Sequence, residues 1–378
     1  MNSSKKEKIT VLGSGVALGV YIPALLVNVQ LKKLNLDSEV VVLENFYTTD
    51  SKEKLTGYKQ AYHKNFSVAL MGHKMTKDIS SSLDEDLVAQ LLQNWQQENR
   101  RYFIIWSGLW IPIVEKYRQL MAPQTITVDV CRIDAEISAS FKIHEGNYQY
   151  DNEIWLWNWE QQQLIYELPV SNEDPIPYAQ RENRFVTHGG GWGIGTYQNR
   201  IAELEEQGFL LDIVAYNLEE AINSKPGNRY FMVDPNWSPW HKNTHHQHDF
   251  PPFGEVTNIN EKHFTTQEEY HGFYDLAKKS KAIISKPGGG TLIDSLSSAT
   301  PVILLDAYGY AEEKNAAIWE HLGYGISYKK WKELNYSEEI LLELHQNLLA
   351  KKNLMNYPQN YAEKLAAKSS LNPVKISV

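Results

Sequence analysis

Two doubly wound α/β domains in tandem, facing each other across a cleft, are what the sequence predicts, and three observations carry that prediction. A short apolar run, a glycine turn and a helical pattern follow one another from Lys8 to Leu34, again from Arg184 to Gly208, and again from Lys281 to Leu296. Strand, glycine turn and helix in that order open a Rossmann-like unit. The length, 378 residues, exceeds one ordinary core and suits two domains of similar size. The expected division is 1–175 for the first domain, 183–350 for the second, and 351–378 for a helix and tail that could return to the first.

In the first domain, Lys8 to Leu12 reads as a strand, followed by Gly13, Ser14, Gly15 and Gly19 and an apolar-periodic helix reaching Leu34. The turn GSGVALG misses G-x-G-x-x-G, which needs glycine in place of Leu18 rather than at Gly19. The second strand, Glu39 to Leu43, ends in Glu44, so a nicotinamide-dinucleotide fold has to be weighed against a turn that only packs helix on strand. Residues 48–100 are polar and mostly helical in pattern. His63 and His73 lie there, to be read as surface, packed or cleft-facing histidines. Tyr102 to Trp106 is a buried strand that turns at Ser107 and Gly108 into a helix. Thr125 to Cys131 is the next, with Asp129, Arg132, Asp134 and Glu136 at its carboxyl end. Ligands bind at that edge of an open α/β sheet, so Asp129 and Asp134 are candidate general bases, with surface ion pairs as the alternative.

Period two around Trp155, Trp157 and Trp159, then a polar Gln161 to Gln163 and Leu164 to Leu168, predicts a β-hairpin near 147–170 with the tryptophans on one face. Ser171 to Glu182, with Pro175 and Pro177, reads as the linker between domains.

The second domain restarts the rhythm with a strand at Arg184 to Thr187, the turn HGGGWGIG from His188 to Gly195, and a helix from Gln198. Strands follow at Leu210 to Tyr216 and Arg229 to Val233. The glycines around Trp192 point to phosphate or sugar contact. Asp234 to Phe253 is a long loop carrying His241, His245, His246 and His248, read as a polar lid beside the cleft in preference to a metal site. Lys281 to Asn315 is a complete βαβ unit. Ala282 to Ser285 is a strand, Gly288 to Gly290 a glycine turn, Thr291 starts a helix, Pro301 to Leu305 is a second strand, and Glu312, Glu313 and Asn315 follow. Glycines let a ligand approach the backbone, and the helix N-terminus favours phosphate. Glu312 or Glu313, at the same sheet edge, could accept hydrogen bonds from ribose.

A net charge of −9 and a pI near 5.8 argue against nucleic acid as a partner. The single cysteine, Cys131, excludes an internal disulfide and a cysteine-rich metal site and fits a reducing compartment. No apolar run is long enough to span a bilayer, so a soluble, cytoplasmic protein is expected; charge alone leaves peripheral membrane contact open. The 11 Trp and 22 Tyr supply flat surfaces for packing or for stacking on sugars and bases. Oligomeric state is not legible in the sequence.

The stretch SKPGGGT from Ser285 to Thr291, the strand Pro301 to Leu305, and the pair Glu312 and Asn315 resemble GT-B glycosyltransferases. The closest pattern is that of lipid II-forming N-acetylglucosaminyltransferases and monogalactosyldiacylglycerol synthases. The resemblance implies two Rossmann-like domains and transfer of a hexose from a nucleotide-diphosphate sugar, UDP-linked by preference, to a small-molecule, peptide or lipid acceptor. Inversion without a metal is implied, in natural-product or cell-envelope biosynthesis, with the nucleotide sugar as co-substrate and no cofactor. It also implies a donor site of Gly288, Gly289, Gly290, Thr291, Glu312 and Asn315, faced by Gly189, Gly190 and Gly191. The acceptor side would be the loops at Ser14, Gly15, Ser107 and Gly108. The turn Gly13 to Gly19 lacks the histidine that many relatives carry as base, which leaves Asp129, Asp134 and His188 as base candidates. The alternatives are a nucleotide-sugar epimerase or hydrolase of the same fold, and a non-enzymatic or NAD-binding module.

Overall fold

The structure, a computed structural model, describes residues 7–74, 79–148, 150–222, 227–258, 261–352 and 354–371. The extreme termini, including the MNSSKK start and the end of the tail, and the side chain of His73 lie outside the described residues.

The first sheet contains β1 (Ile9–Gly13), β2 (Ser38–Val42), β3 (Tyr102–Ile105), β4 (Thr127–Arg132) and β5 (Asn152–Trp155) in the order β2-β1-β3-β4-β5, all parallel. Ile9, Val11 and Leu12 are wholly buried, as a parallel strand covered on both faces requires. The order reverses between β1 and β3, and crevices form at the carboxyl ends of strands at such a point.

The expected hairpin is mostly absent. Asn152–Trp155 extends the parallel sheet as β5, and only the short strands β6 (Trp157–Asn158) and β7 (Gln163–Leu164) pair antiparallel. β8 (Tyr166–Glu167) pairs in parallel with Met355–Asn356 near the C-terminus. Because the strand breaks at Leu156, the tryptophans do not share a face. Trp155 lies 5.6 Å from the Arg132 guanidinium, Trp157 packs edge-on to Trp319 at 5.2 Å, and Trp159 takes the Lys314 ammonium at 4.8 Å. The last two thus reach the second domain.

That domain has an eight-stranded sheet of β9 (Phe185–His188), β10 (Leu211–Val214), β11 (Arg229–Val233), β12 (Phe253–Asn258), β13 (Glu261–Lys262), β14 (Ala282–Ser285), β15 (Val302–Leu304) and β16 (Gly325–Ser327). Its order is β13-β12-β11-β10-β9-β14-β15-β16, with β12 and β13 antiparallel additions at one edge. The parallel strands follow the Rossmann order, reversing between β9 and β14. The linker is pinned rather than loose. Buried Arg181 donates to the carbonyls of Ile176, Ser280 and Ser298 and to Thr300 Oγ1. The C-terminal helix Tyr357–Leu371 lies against the first domain, with Tyr357 edge-on to Trp106 and donating to Asp129 Oδ2 at 3.1 Å.

One apolar core runs through both domains. Leu25 and Leu26 of helix Leu18–Lys33 join Leu292, Ile293 and Leu296 of helix Gly289–Ser298, and Trp157 joins Trp319. The two helices meet at their first turns, where a Cβ on Gly290 would lie in van der Waals contact with Gly19 Cα, at 3.5 Å.

Candidate active site

The two reversal points face each other across a cleft of about 840 Å³. Ser14 and Ser107 reach it from β1 and β3, Asp134 from the loop after β4, His188 to Trp192 from β9, Lys286 and Gly288 to Thr291 from β14, and Tyr308 and Glu312 from β15.

Helix Gly289–Ser298 begins in this cleft with Gly288 as N-cap, no capping side chain and no acid in its first turn. Its first N–H groups therefore have no partner of their own and carry the positive end of the helix dipole. Lys286 stands beside them, ion-paired with Glu312 Oε1, while Glu312 Oε2 accepts from the Tyr308 N–H at 2.7 Å. A Cβ on Gly288 would meet Lys286 Nζ at 3.1 Å, and one on Gly190 would come within 3.8 Å of Lys286 Cε. The ammonium thus sits between the two glycine turns. The other glycines admit protein rather than ligand. Gly191 faces the Leu18 side chain, Gly189 the backbone of Gly193 and Ile194, and Gly289 the Ile133 side chain and carbonyl.

Asn315, expected to touch the donor, is wholly buried and fully engaged. Its Oδ1 accepts from the Ala135 N–H and Trp157 Nε1, and its Nδ2 donates to Asp134 Oδ1 and the Pro287 carbonyl. No amide hydrogen or lone pair remains for a ligand.

The three base candidates separate. Asp129 points away from the cleft, accepting from Asn152 Nδ2 at 2.8 Å and from Tyr357. His188 borders the cleft, but its Nδ1 accepts the Gly190 N–H at 3.0 Å, and burial, with Lys286 nearby, lowers its pKa to about 3. It is a neutral imidazole with its proton on Nε2, a donor rather than a base, and Nε2 has no partner. Asp134 borders the cleft with its carboxyl pushed up to about 6 by burial, against the opposing hydrogen bond from Asn315. That value suits a general base near neutral pH.

On the first-domain side, Ser14 and Gly15 form a nest that is already filled. Glu44 accepts from Ser14 Oγ at 2.7 Å, from the Gly15 N–H at 2.6 Å and from the Val16 N–H at 3.0 Å, and Pro239 covers Gly15. The acid that suggested a dinucleotide's ribose occupies the place a pyrophosphate would need, which removes the case for an NAD site. Gly108 packs against the Ser140 backbone, leaving Ser107 as the cleft-facing member of that pair. His63 is a bridge between domains, with Nδ1 2.8 Å from the Gly193 carbonyl and Nε2 on Glu220. Both ring nitrogens face acceptors, so the imidazolium fits best; burial opposes it, but Glu220 and the Gly193 carbonyl hold the pKa up. The histidine loop docks on the first domain through Asn45 to the Trp240 carbonyl and Tyr21 to the Asp249 carbonyl. Among the described residues no group of three His, Cys, Asp or Glu is placed to hold a metal ion.

Sequence reasoning missed Lys286 as a cleft cation, although only Pro287 separates it from the glycine turn, and missed Asp294 and His271. Asp294 lies one turn beyond Thr291, buried in the cleft wall, 3.0 Å from His271 Nε2 but not aligned as a hydrogen bond. Burial pushes Asp294 well up and lowers His271 to about 4. Only helix phase, not composition, could have singled out this acid.

Two Rossmann-like domains with facing reversal points define the GT-B architecture, and solved structures of that class are similar over almost the whole chain. The spinosyn rhamnosyltransferase SpnG matches with a TM-score of 0.55 at 9% identity, covering 96% of this chain and 100% of that one. The glycosyltransferase SnogD from Streptomyces nogalater matches at 0.53 and 10% identity (96% and 99%), and MurG of Acinetobacter baumannii at 0.51 and 9% (96% and 99%). At these identities the likeness is one of fold. No family model matches the sequence, and no curated protein is similar to it. Among the described residues no helix is long and apolar enough to cross a membrane.

Proposed function

We propose that the protein is a glycosyltransferase that moves a sugar from a nucleoside-diphosphate donor to an acceptor hydroxyl. The observation that carries this reading is the uncapped helix terminus beside Lys286, set opposite the Asp134 loop across one cleft. The diphosphate lies on the N–H groups of Gly289, Gly290 and Thr291 and on Lys286. Glu312 accepts from the ribose once Lys286 has turned to the phosphate, with Asp294 as the other carboxylate in reach of the cleft. The acceptor lies against the first domain, where Val20, Ile22, Leu55, Tyr58 and Leu109 line an apolar wall. This suits the kind of acceptor carried by SpnG, one structure of which is complexed with spinosyn aglycone.

The Asp134 carboxylate takes the acceptor proton as that oxygen bonds to the anomeric carbon. The bond from that carbon to the diphosphate oxygen breaks, and its electron pair leaves on the diphosphate. The helix terminus and Lys286 stabilise that charge, the role a metal would otherwise fill. Attack from the face opposite the leaving group inverts the anomeric centre. An epimerase or hydrolase would leave the apolar wall without a role.

A thermal-shift panel of UDP, dTDP, GDP and CMP tests the donor site. At 100 times its Kd a ligand of the folded state adds about 2.7 kcal/mol, a shift of a few degrees for a chain of this size. One nucleoside diphosphate should give that shift and CMP should not; no shift from any diphosphate would overturn the reading. In calorimetry, Lys286→Ala should weaken binding of that diphosphate by about ten- to a hundredfold through loss of a charged hydrogen bond, and Glu312→Ala by about tenfold. Unchanged affinity in Glu312→Ala would move the ribose to Asp294.

A further inference from the structure

Asn315 sits on helix Tyr310–His321 of the second domain, yet three of its four side-chain hydrogen bonds go to the loop after β4 and to Trp157 in the first. Its amide orientation is dictated by its partners. Ala135 N–H and Trp157 Nε1 are donors only and must face Oδ1; the Pro287 carbonyl is an acceptor only and must face Nδ2 at 2.9 Å. The second amide hydrogen then points at Asp134 Oδ1, 2.8 Å away, which leaves Oδ2 for the cleft. The same side chain that grips the glycine turn at Pro287 therefore also holds the Asp134 carboxylate, which the first domain presents in the cleft. Ile133, next in the chain, packs directly on Gly289.

We infer that Asn315 is a positioning residue, which registers the Asp134 carboxylate of one domain against the phosphate turn of the other through a single amide. The inference rests on Asp134 being the general base of sugar transfer. Asn315 touches no substrate; it acts by fixing the rotation of the Asp134 carboxyl and by supplying a hydrogen bond that favours its charged form. The charged groups facing Asp134 are Glu312 and Lys286, one of each sign and already paired with each other. Among the described residues, the Asn315 amide is the hydrogen-bond donor to Asp134, and it carries no charge.

The test uses the full chain, with aspartate carboxyls labelled for carbon NMR and the resonance of Asp134 identified by its loss in Asp134→Asn. In the wild type that carboxyl should titrate near 6. Asn315→Asp is isosteric and keeps the acceptor for Ala135 and Trp157, but opposes an oxygen to Asp134 and to the Pro287 carbonyl. It should raise the midpoint by one pH unit or more while UDP affinity, measured by calorimetry, stays within about threefold. With a nucleotide sugar that the wild type turns over, kcat should fall at least tenfold with KM for that donor little changed, and the acid limb of the pH profile should rise with the NMR midpoint. Asn315→Ala should act in the same direction, at greater expense to thermal stability. A lower melting temperature with the Asp134 midpoint unmoved would reduce Asn315 to a structural tie and overturn the inference. If the wild-type Asp134 titrates as an ordinary carboxylate, the base assignment itself is what fails.

Discussion

Gly289→Val should reduce transfer by at least about a hundredfold while leaving a folded protein. A Cβ at this position would lie 2.6 Å from Ile133 Cγ1 and 2.7 Å from the Ile133 carbonyl oxygen, closer than real Cβ contacts. The side chain could turn aside, but the carbonyl is fixed by the strand behind it. The glycine turn and the loop after β4 must therefore separate. That moves the helix N-terminus away from Asp134, and a displacement near 1 Å in a reacting geometry costs on the order of a hundredfold in rate. Gly57→Ala is the matching control. Gly57 lies within helix Thr49–Lys64 with nothing near its absent Cβ, so the change should leave rate unaltered and stability equal or slightly higher. Release of nucleoside diphosphate, read beside a melting curve, decides between them. Full activity in Gly289→Val would mean that the cleft has been placed at the wrong turn.

Asp134→Asn should lower transfer by roughly a hundred- to ten-thousandfold, the range a positioned general base contributes. Binding of the diphosphate should persist, since Lys286 and the helix terminus are untouched. The pH dependence supplies the sign. The carboxylate is the active form, and burial raises its pKa to about 6. The wild-type rate should therefore climb as pH rises through 6 and level off above, and the variant should lose that limb. A variant that keeps the same acid limb would assign the base elsewhere.

Much of the architecture is legible from the chain because a parallel strand covered on both faces is a continuous apolar run, and Ile9 to Gly13 and Ala282 to Ser285 both end at a turn. The tryptophan hairpin misleads for a physical reason. Period two across Trp155, Trp157 and Trp159 arises from a parallel strand followed by a break at Leu156, and no local pattern records that Trp157 seeks Trp319. Asp129 and Asp134 look equivalent in sequence. The strand ends at Arg132, so the first lies within β4 and is taken by Asn152 and Tyr357, while the second lies beyond its edge. The role of Asn315 is hidden in the sequence because three of its partners, Asp134, Ala135 and Trp157, are remote in the chain. The sequence marks the glycine turns but not one reason for them: those at 191 and 289 make room for the opposite domain.

Glu44 gives this arrangement its direction. Two of the chain's three glycine turns come together here, each offering amide hydrogens that would welcome an anion, and helices Leu18–Lys33 and Gly289–Ser298 begin side by side at Gly19 and Gly290. By placing its own carboxylate in the first nest, the protein cancels one of the two attractions and leaves the other open. In a molecule of net charge −9, the proposed diphosphate would then meet one of these two attractions rather than both, which would orient it in the cleft. On the function proposed here, the nucleotide goes to the half whose turn carries no such carboxylate, and the acceptor to the other.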